Sequence, residues 1–131
     1  MSFSNSLETD VLNYFFSGSS VTRPTAWYVG LHLSSSSPGE TGTGGELTIG
    51  TDGYSRREVT SWTISGDQAS NANALEWPTA TGDWGVIGYV SIWTLSSSGT
   101  MLAYAALASN KTVSTGDVLR IPVGDLDINM E

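Results

Sequence analysis

The sequence has no cysteine, one histidine and only five lysines and arginines. Without cysteine there is no thiol nucleophile, no thiolate zinc site, no redox pair and no disulfide staple. None is needed for stability, because a chain of 131 residues buries roughly two-thirds of its surface on folding. The 39% of hydrophobic positions is enough for one core, so a single domain spanning 1–131 is expected. The five cations, Arg23, Arg56, Arg57, Lys111 and Arg120, are scattered against thirteen acidic residues, giving a formal charge of −8. Phosphate backbones require a basic footprint, so no nucleic-acid partner is expected. No apolar run reaches the 18 residues of a bilayer span. Met1 to Asp10 is polar, without the basic and apolar regions of a leader. The expectation is a soluble chain made in a cytoplasm, with no membrane partner.

What is abundant is serine, threonine and glycine, 50 residues in all, together with five Trp, five Tyr and three Phe. The aromatics recur inside alternating apolar segments, which excludes disorder. Hydroxyl residues on one strand face, glycine at turns and aromatics inside describe a β protein.

One helix is expected, over about 5–17. Asn5 caps it with Glu8 three residues on, Leu7, Val11, Tyr14 and Phe15 follow at helical spacing, and Gly18 ends it. Phe3 extends the stripe backward, so the helix lies against a sheet or a neighbouring subunit. From Thr25 the period becomes 2, with Trp27, Val29, Leu31 and Leu33 on one strand face and Tyr28, Gly30 and His32 on the other. The stretch 34–53 holds four serines in a row, Pro38 and six glycines, and reads as a long loop that is flexible or ordered by a partner. Further strands are expected over Arg56 to Ile64, Asn71 to Trp77, Val86 to Leu95, Thr100 to Ala108, Lys111 to Val113, Val118 to Val123 and Leu126 to Met130. Ser96 to Gly99 closes the clearest hairpin. Ala103, Ala105, Ala106 and Ala108 permit close approach by another layer or chain. About eight closely spaced strands with one short N-terminal α-helix point to an antiparallel β-sandwich, jelly-roll-like, or a partly open barrel.

The candidate chemistry is sparse. His32 excludes any multi-histidine metal site, and no serine sits in a G-x-S-x-G elbow, so His32 is read as a surface or interface histidine and no catalytic residue is assigned. The glycine-rich run 39–53 contains no lysine and cannot be a P-loop. Asp117, Asp125 and Asp127 are oxygen donors without the spacing of a calcium loop, and a solvated strand face explains Asp125 and Asp127 equally well. No cofactor is expected. Trp27, Trp62, Trp77 and Trp93 sit at alternating strand positions and read as core. Trp84, in the turn Gly82 to Gly85, either contacts a ligand or folds back over the end of the sandwich.

Several segments occur in a telling order: Pro24-Thr25-Ala26-Trp27-Tyr28-Val29-Gly30-Leu31, Gly53-Tyr54-Ser55-Arg56-Arg57, Pro78-Thr79-Ala80-Thr81-Gly82-Asp83-Trp84-Gly85, Leu102-Ala103-Tyr104 and Gly116-Asp117. The series, running from about Leu7 to Ile128, resembles a family of small virion proteins of tailed bacteriophages, often labelled tail-fibre-like. The resemblance implies a structural role in the particle, after synthesis in the bacterial host cytoplasm, and no catalysis. Fibres are usually long and repetitive, whereas this chain is one short domain with no shaft, so the preferred form is a head decoration or cement protein, a homotrimer holding the major capsid protein. A tail-fibre or tail-tip component that meets a host surface sugar is the alternative, and a carbohydrate-binding module a second one. The expected interface residues are Phe3, Leu7, Val11 and Phe15 of the N-terminal segment, Leu47 and Ile49 of the loop, and Trp84. Removal of the segment before Ser17 is expected to leave a folded domain that no longer assembles.

Overall fold

The computed structural model describes residues 1–130. The chain opens with strand β1 (Ser2–Phe3), then helix α1 (Asn5–Leu12), which widens into a π-helical turn over Asn13–Ser17 and ends at Gly18. The N-cap is Ser4, not Asn5. The Ser4 hydroxyl accepts from the Leu7 N–H at 3.2 Å and donates to the Met101 carbonyl at 2.6 Å. One buried side chain therefore caps the helix and fastens it to the sheet. Phe3 is not part of the helical stripe: it pairs with Ala103 in β1. The segment before Ser17 is consequently an integral edge of the domain rather than a detachable arm.

The main sheet has five antiparallel strands in the order β1-β8-β7-β2-β3, with β2 at Tyr28–Leu33, β3 at Arg57–Glu58, β7 at Gly85–Trp93 and β8 at Met101–Val113. Two smaller sheets accompany it. One orders β10 (Asp127–Asn129), β5 (Gln68–Asn71) and β4 (Trp62–Ser65); the other pairs β6 (Leu75–Glu76) with β9 (Arg120–Ile121). All pairings are antiparallel and no barrel closes, in keeping with the expected open β architecture.

The register fixes what each face of the main sheet does. Val29 opposes Ile92, Leu31 opposes Val90, and Ile92 opposes Ala103. These side chains share one face and join Leu75, Trp77, Val113 and Leu126 in the core. The other face carries Gly30, His32, Ser91 and Trp93, and it too is covered.

Among the described residues, ten strands replace the expected eight. The expected strand over Arg56 to Ile64 breaks at Thr60, whose N–H is taken by the Asn73 side chain at 2.9 Å. The one over Asn71 to Trp77 breaks because buried Asn71 turns its amide onto the Asn73 and Pro122 carbonyls and its oxygen onto the Gly124 and Leu126 N–H groups. Lys111 to Val113 is the end of β8, not a separate strand.

Candidate functional site

The covered second face gathers Gly30, Tyr54 and Arg56 with residues of the glycine-rich stretch and of β7. Stretch 34–53 is not a loose loop. It folds back on β2, so that the Leu33 N–H donates to the Gly45 carbonyl at 3.0 Å and the Leu47 N–H to the Leu31 carbonyl at 3.1 Å. Those bonds close the edge of β2 beyond the short β3, a site that otherwise invites pairing with another chain.

Glu46 is then aimed across the sheet. Its carboxylate takes a fork from Arg56, Nε to Oε1 at 2.7 Å and Nη2 to Oε2 at 2.8 Å, and accepts from the Tyr54 hydroxyl at 3.0 Å. Tyr54 Oη in turn accepts from the Leu31 N–H at 3.0 Å. The remaining guanidinium nitrogen, Nη1, donates to the Leu95 and Ser98 carbonyls at 2.9 and 2.8 Å. Arg56 thereby ties the tip of the β7–β8 hairpin, where Ser98 adopts a left-handed φ of 52°, to the edge of the sheet. A bidentate guanidinium with all three nitrogens engaged is the arrangement that offsets burying the charges.

Beneath the ion pair, His32 Nδ1 faces the Gly44 carbonyl and Nε2 lies 2.7 Å from Ser91 Oγ, which also accepts from the Trp93 indole N–H at 2.7 Å. A carbonyl only accepts, so Nδ1 carries the proton and the Ser91 hydroxyl donates to the Nε2 lone pair. Desolvation by burial pushes the imidazole pKa below its ordinary value, against the opposing influence of the Gly44 carbonyl and Glu46. Burial first, and Glu46 second, push the Tyr54 phenol well above its ordinary range.

Close packing over this face requires glycine, as Gly30 and Gly42 show. A Cβ on Gly30 would lie 2.9 Å from Glu46 Oε1 and 3.0 Å from Ser91 Oγ. One on Gly42, at φ 74°, would lie 2.6 Å from the Trp93 ring.

The histidine–serine pair has the spacing of a base and a nucleophile, but its setting differs. Both residues are 0% exposed, Nδ1 faces a backbone carbonyl instead of a carboxylate, and the Ser91 oxygen is already engaged by Trp93. The reading of His32 as a surface or interface residue is thus corrected: it fastens the glycine-rich segment to the sheet from inside. Its burial depends on residues 12 positions away in sequence, which strand periodicity does not reveal.

Trp84 is 5% exposed and folds back over the end of the domain, its indole N–H donating to the Asp52 carbonyl at 2.8 Å and its ring edge-on to Tyr54 at 5.6 Å. An exposed contact role for Trp84 is corrected accordingly. Leu47 is half-buried against the core, whereas Ile49 is exposed. Phe3, Leu7 and Val11 are half-buried where the N-terminal segment meets the sheet. Phe15 stands apart from them at 70% exposure. Beside it are Leu12, Tyr14 and Phe16, the last 82% exposed. Leu12, Tyr14 and Phe16 lie outside the expected interface residues; the adjacent Phe15 and Phe16 are the signal, since two neighbours on a helix cannot share one buried face.

Asp127 accepts from Ser70 Oγ at 2.7 Å. Among the described residues, no group of three or more His, Asp or Glu is arranged to hold a metal ion, and no helix is long and apolar enough to cross a membrane.

Comparison with curated proteins returns no match. A family model described as "Podophage GP4 fiber I protein gp80" matches residues 2–129, a span that includes the Glu46–Arg56–Tyr54 clamp, the buried His32–Ser91–Trp93 chain and the projecting aromatic turn. The chain belongs to that podophage fibre protein family, and so to the structural proteins of tailed-phage virions.

Proposed function

We propose that the chain is a non-enzymatic building block of a virion fibre, acting through contact with further copies of itself, as a homotrimer, and with neighbouring virion proteins. The observation that carries this reading is the sealed second face of the main sheet. The one histidine, its partner Ser91 and the Glu46–Arg56 pair are spent on holding a glycine-rich segment rigid. Such a module offers its surroundings fixed surfaces rather than reactive groups, and many modest contacts between repeated modules add through multivalency.

The sequence favoured head decoration, with the major capsid protein as partner. The family description supports the fibre side of that choice. A sugar platform made of tryptophans receives no support: Trp77, Trp84 and Trp93 are buried, and Trp27 and Trp62 meet edge-on at 86° and pack against the core.

The test is to image particles assembled from a genome lacking this chain. Intact heads that have lost fibres support the proposal. Normal fibres on fragile heads would return the chain to capsid decoration.

A further inference from the structure

We infer that the aromatic turn of one copy seats in the groove beside β8 of a second copy, so that two different surfaces of the same chain meet. The inference rests on the proposed function only in treating the chain as an assembling subunit. Leu12, Tyr14, Phe15 and Phe16 project from the π-helical turn, with Tyr14 and Phe15 braced edge-on at 5.1 Å. Contiguous exposed apolar side chains of this size mark a contact surface.

The same chain carries a complementary hollow. A groove of about 310 Å3 lies between β8 and the β9–β10 segment, lined by Ala105, Leu107, Ile121, Pro122 and Leu126. Ala105, which opposes Val90 on the core face of the sheet, is the small side chain that admits an aromatic ring beside Leu107.

Charge favours a second copy as the occupant. Two chains that each carry −8 repel, and they meet most easily where neither is charged. Val11 to Thr22, which bears the aromatic turn, contains no charged residue, and neither does Trp84 to Asn110, which bears the β8 side of the groove. The far rim of the groove holds Asp125 and Asp127 with Arg120, so the uncharged β8 side is where the aromatic turn meets it. A contact between unlike surfaces propagates from copy to copy, closing into a ring or extending as a filament.

Sedimentation of the full chain over a concentration series tests this. The wild type is expected to assemble. Phe15→Ser/Phe16→Ser and Pro122→Arg, all at exposed positions, the last on the groove wall, are each expected to weaken assembly by about 30-fold or more. An equimolar mixture of these two variants should give a one-to-one dimer and nothing larger, because each supplies the surface the other lacks. A monomeric wild type, a Pro122→Arg variant that assembles normally, or a mixture that stays monomeric would each overturn the inference. A groove variant that assembles normally would indicate contact between two aromatic turns. Particles that lose fibres without the chain, combined with a monomeric wild type, would refute this contact and leave the fibre role standing; assembly through the groove with normal fibres would do the reverse.

Discussion

The Arg56 guanidinium stacks over Trp93, 3.9 Å from the ring centre, while forking onto Glu46 and holding two carbonyls of the β7–β8 hairpin tip. One side chain thus joins three segments distant in sequence, and its side chain is only 3% exposed. Removing it leaves a largely buried carboxylate without its counter-ion. Arg56→Ala is therefore expected to cost about 3–5 kcal/mol of folding free energy. Arg56→Lys should recover only part of this, since an ammonium cannot fork onto both oxygens. Urea unfolding monitored by tryptophan fluorescence checks both values, and an Arg56→Ala loss below about 1 kcal/mol would show that the pair is screened as on a surface.

Acid should weaken the fold through His32. Its folded pKa lies below the ordinary 6.5, so the unfolded chain takes up the proton first. The stabilisation is complete above 6.5 and declines as pH falls through the window between 6.5 and the lower folded value. Urea midpoints from pH 8 to 5 should fall more steeply for the wild type than for His32→Asn, which keeps a donor towards Gly44 and cannot charge. Tyr54 acts at the opposite end: its raised pKa gives stability that is present below pH 10 and lost as pH climbs above it.

Gly30→Ala places a methyl group against Glu46 and Ser91. Overpacking of this kind costs roughly 1–3 kcal/mol. The strain should express itself in the segment over the sheet, making 34–53 more susceptible to limited proteolysis while β7 and β8 keep their hydrogen-exchange protection. Unchanged proteolysis would mean that the segment is held independently of Glu46.

Trp77 is 1% exposed, and its indole N–H is, among the described residues, the one buried side-chain polar atom without a hydrogen-bond partner. An unsatisfied buried donor costs about 1–3 kcal/mol. Trp77→Phe removes that donor along with part of a ring, so the two effects oppose and the change in stability should stay within about 1.5 kcal/mol, well short of the 3–5 kcal/mol of a Trp→Ala truncation. Thermal unfolding of the two variants side by side measures the difference.

The parts of the fold that the sequence discloses are those set by neighbours in the chain. The β7–β8 hairpin follows from Ser96 to Gly99 between two apolar segments, and β2 from the alternation of Val29, Leu31 and Leu33. The N-terminal helix is legible from its apolar spacing, but its cap is not. Ser4 and Asn5 are both good capping residues, and Ser4 takes the role because Met101, 97 positions away, accepts its hydroxyl. The same applies to the second face of the sheet. Gly44, Glu46 and Arg56 look like loop and strand-edge residues in one dimension, and only the register of β2 against β7 brings His32 beside Ser91 and Trp93. Trp84 lies in a turn by sequence and is buried because Tyr54 and Asp52 receive it.

The most direct measurement is gold labelling of this chain on purified particles, with the label counted by position in electron micrographs. The account predicts label confined to fibres, in a fixed number per fibre. Label spread evenly over the head surface would contradict it.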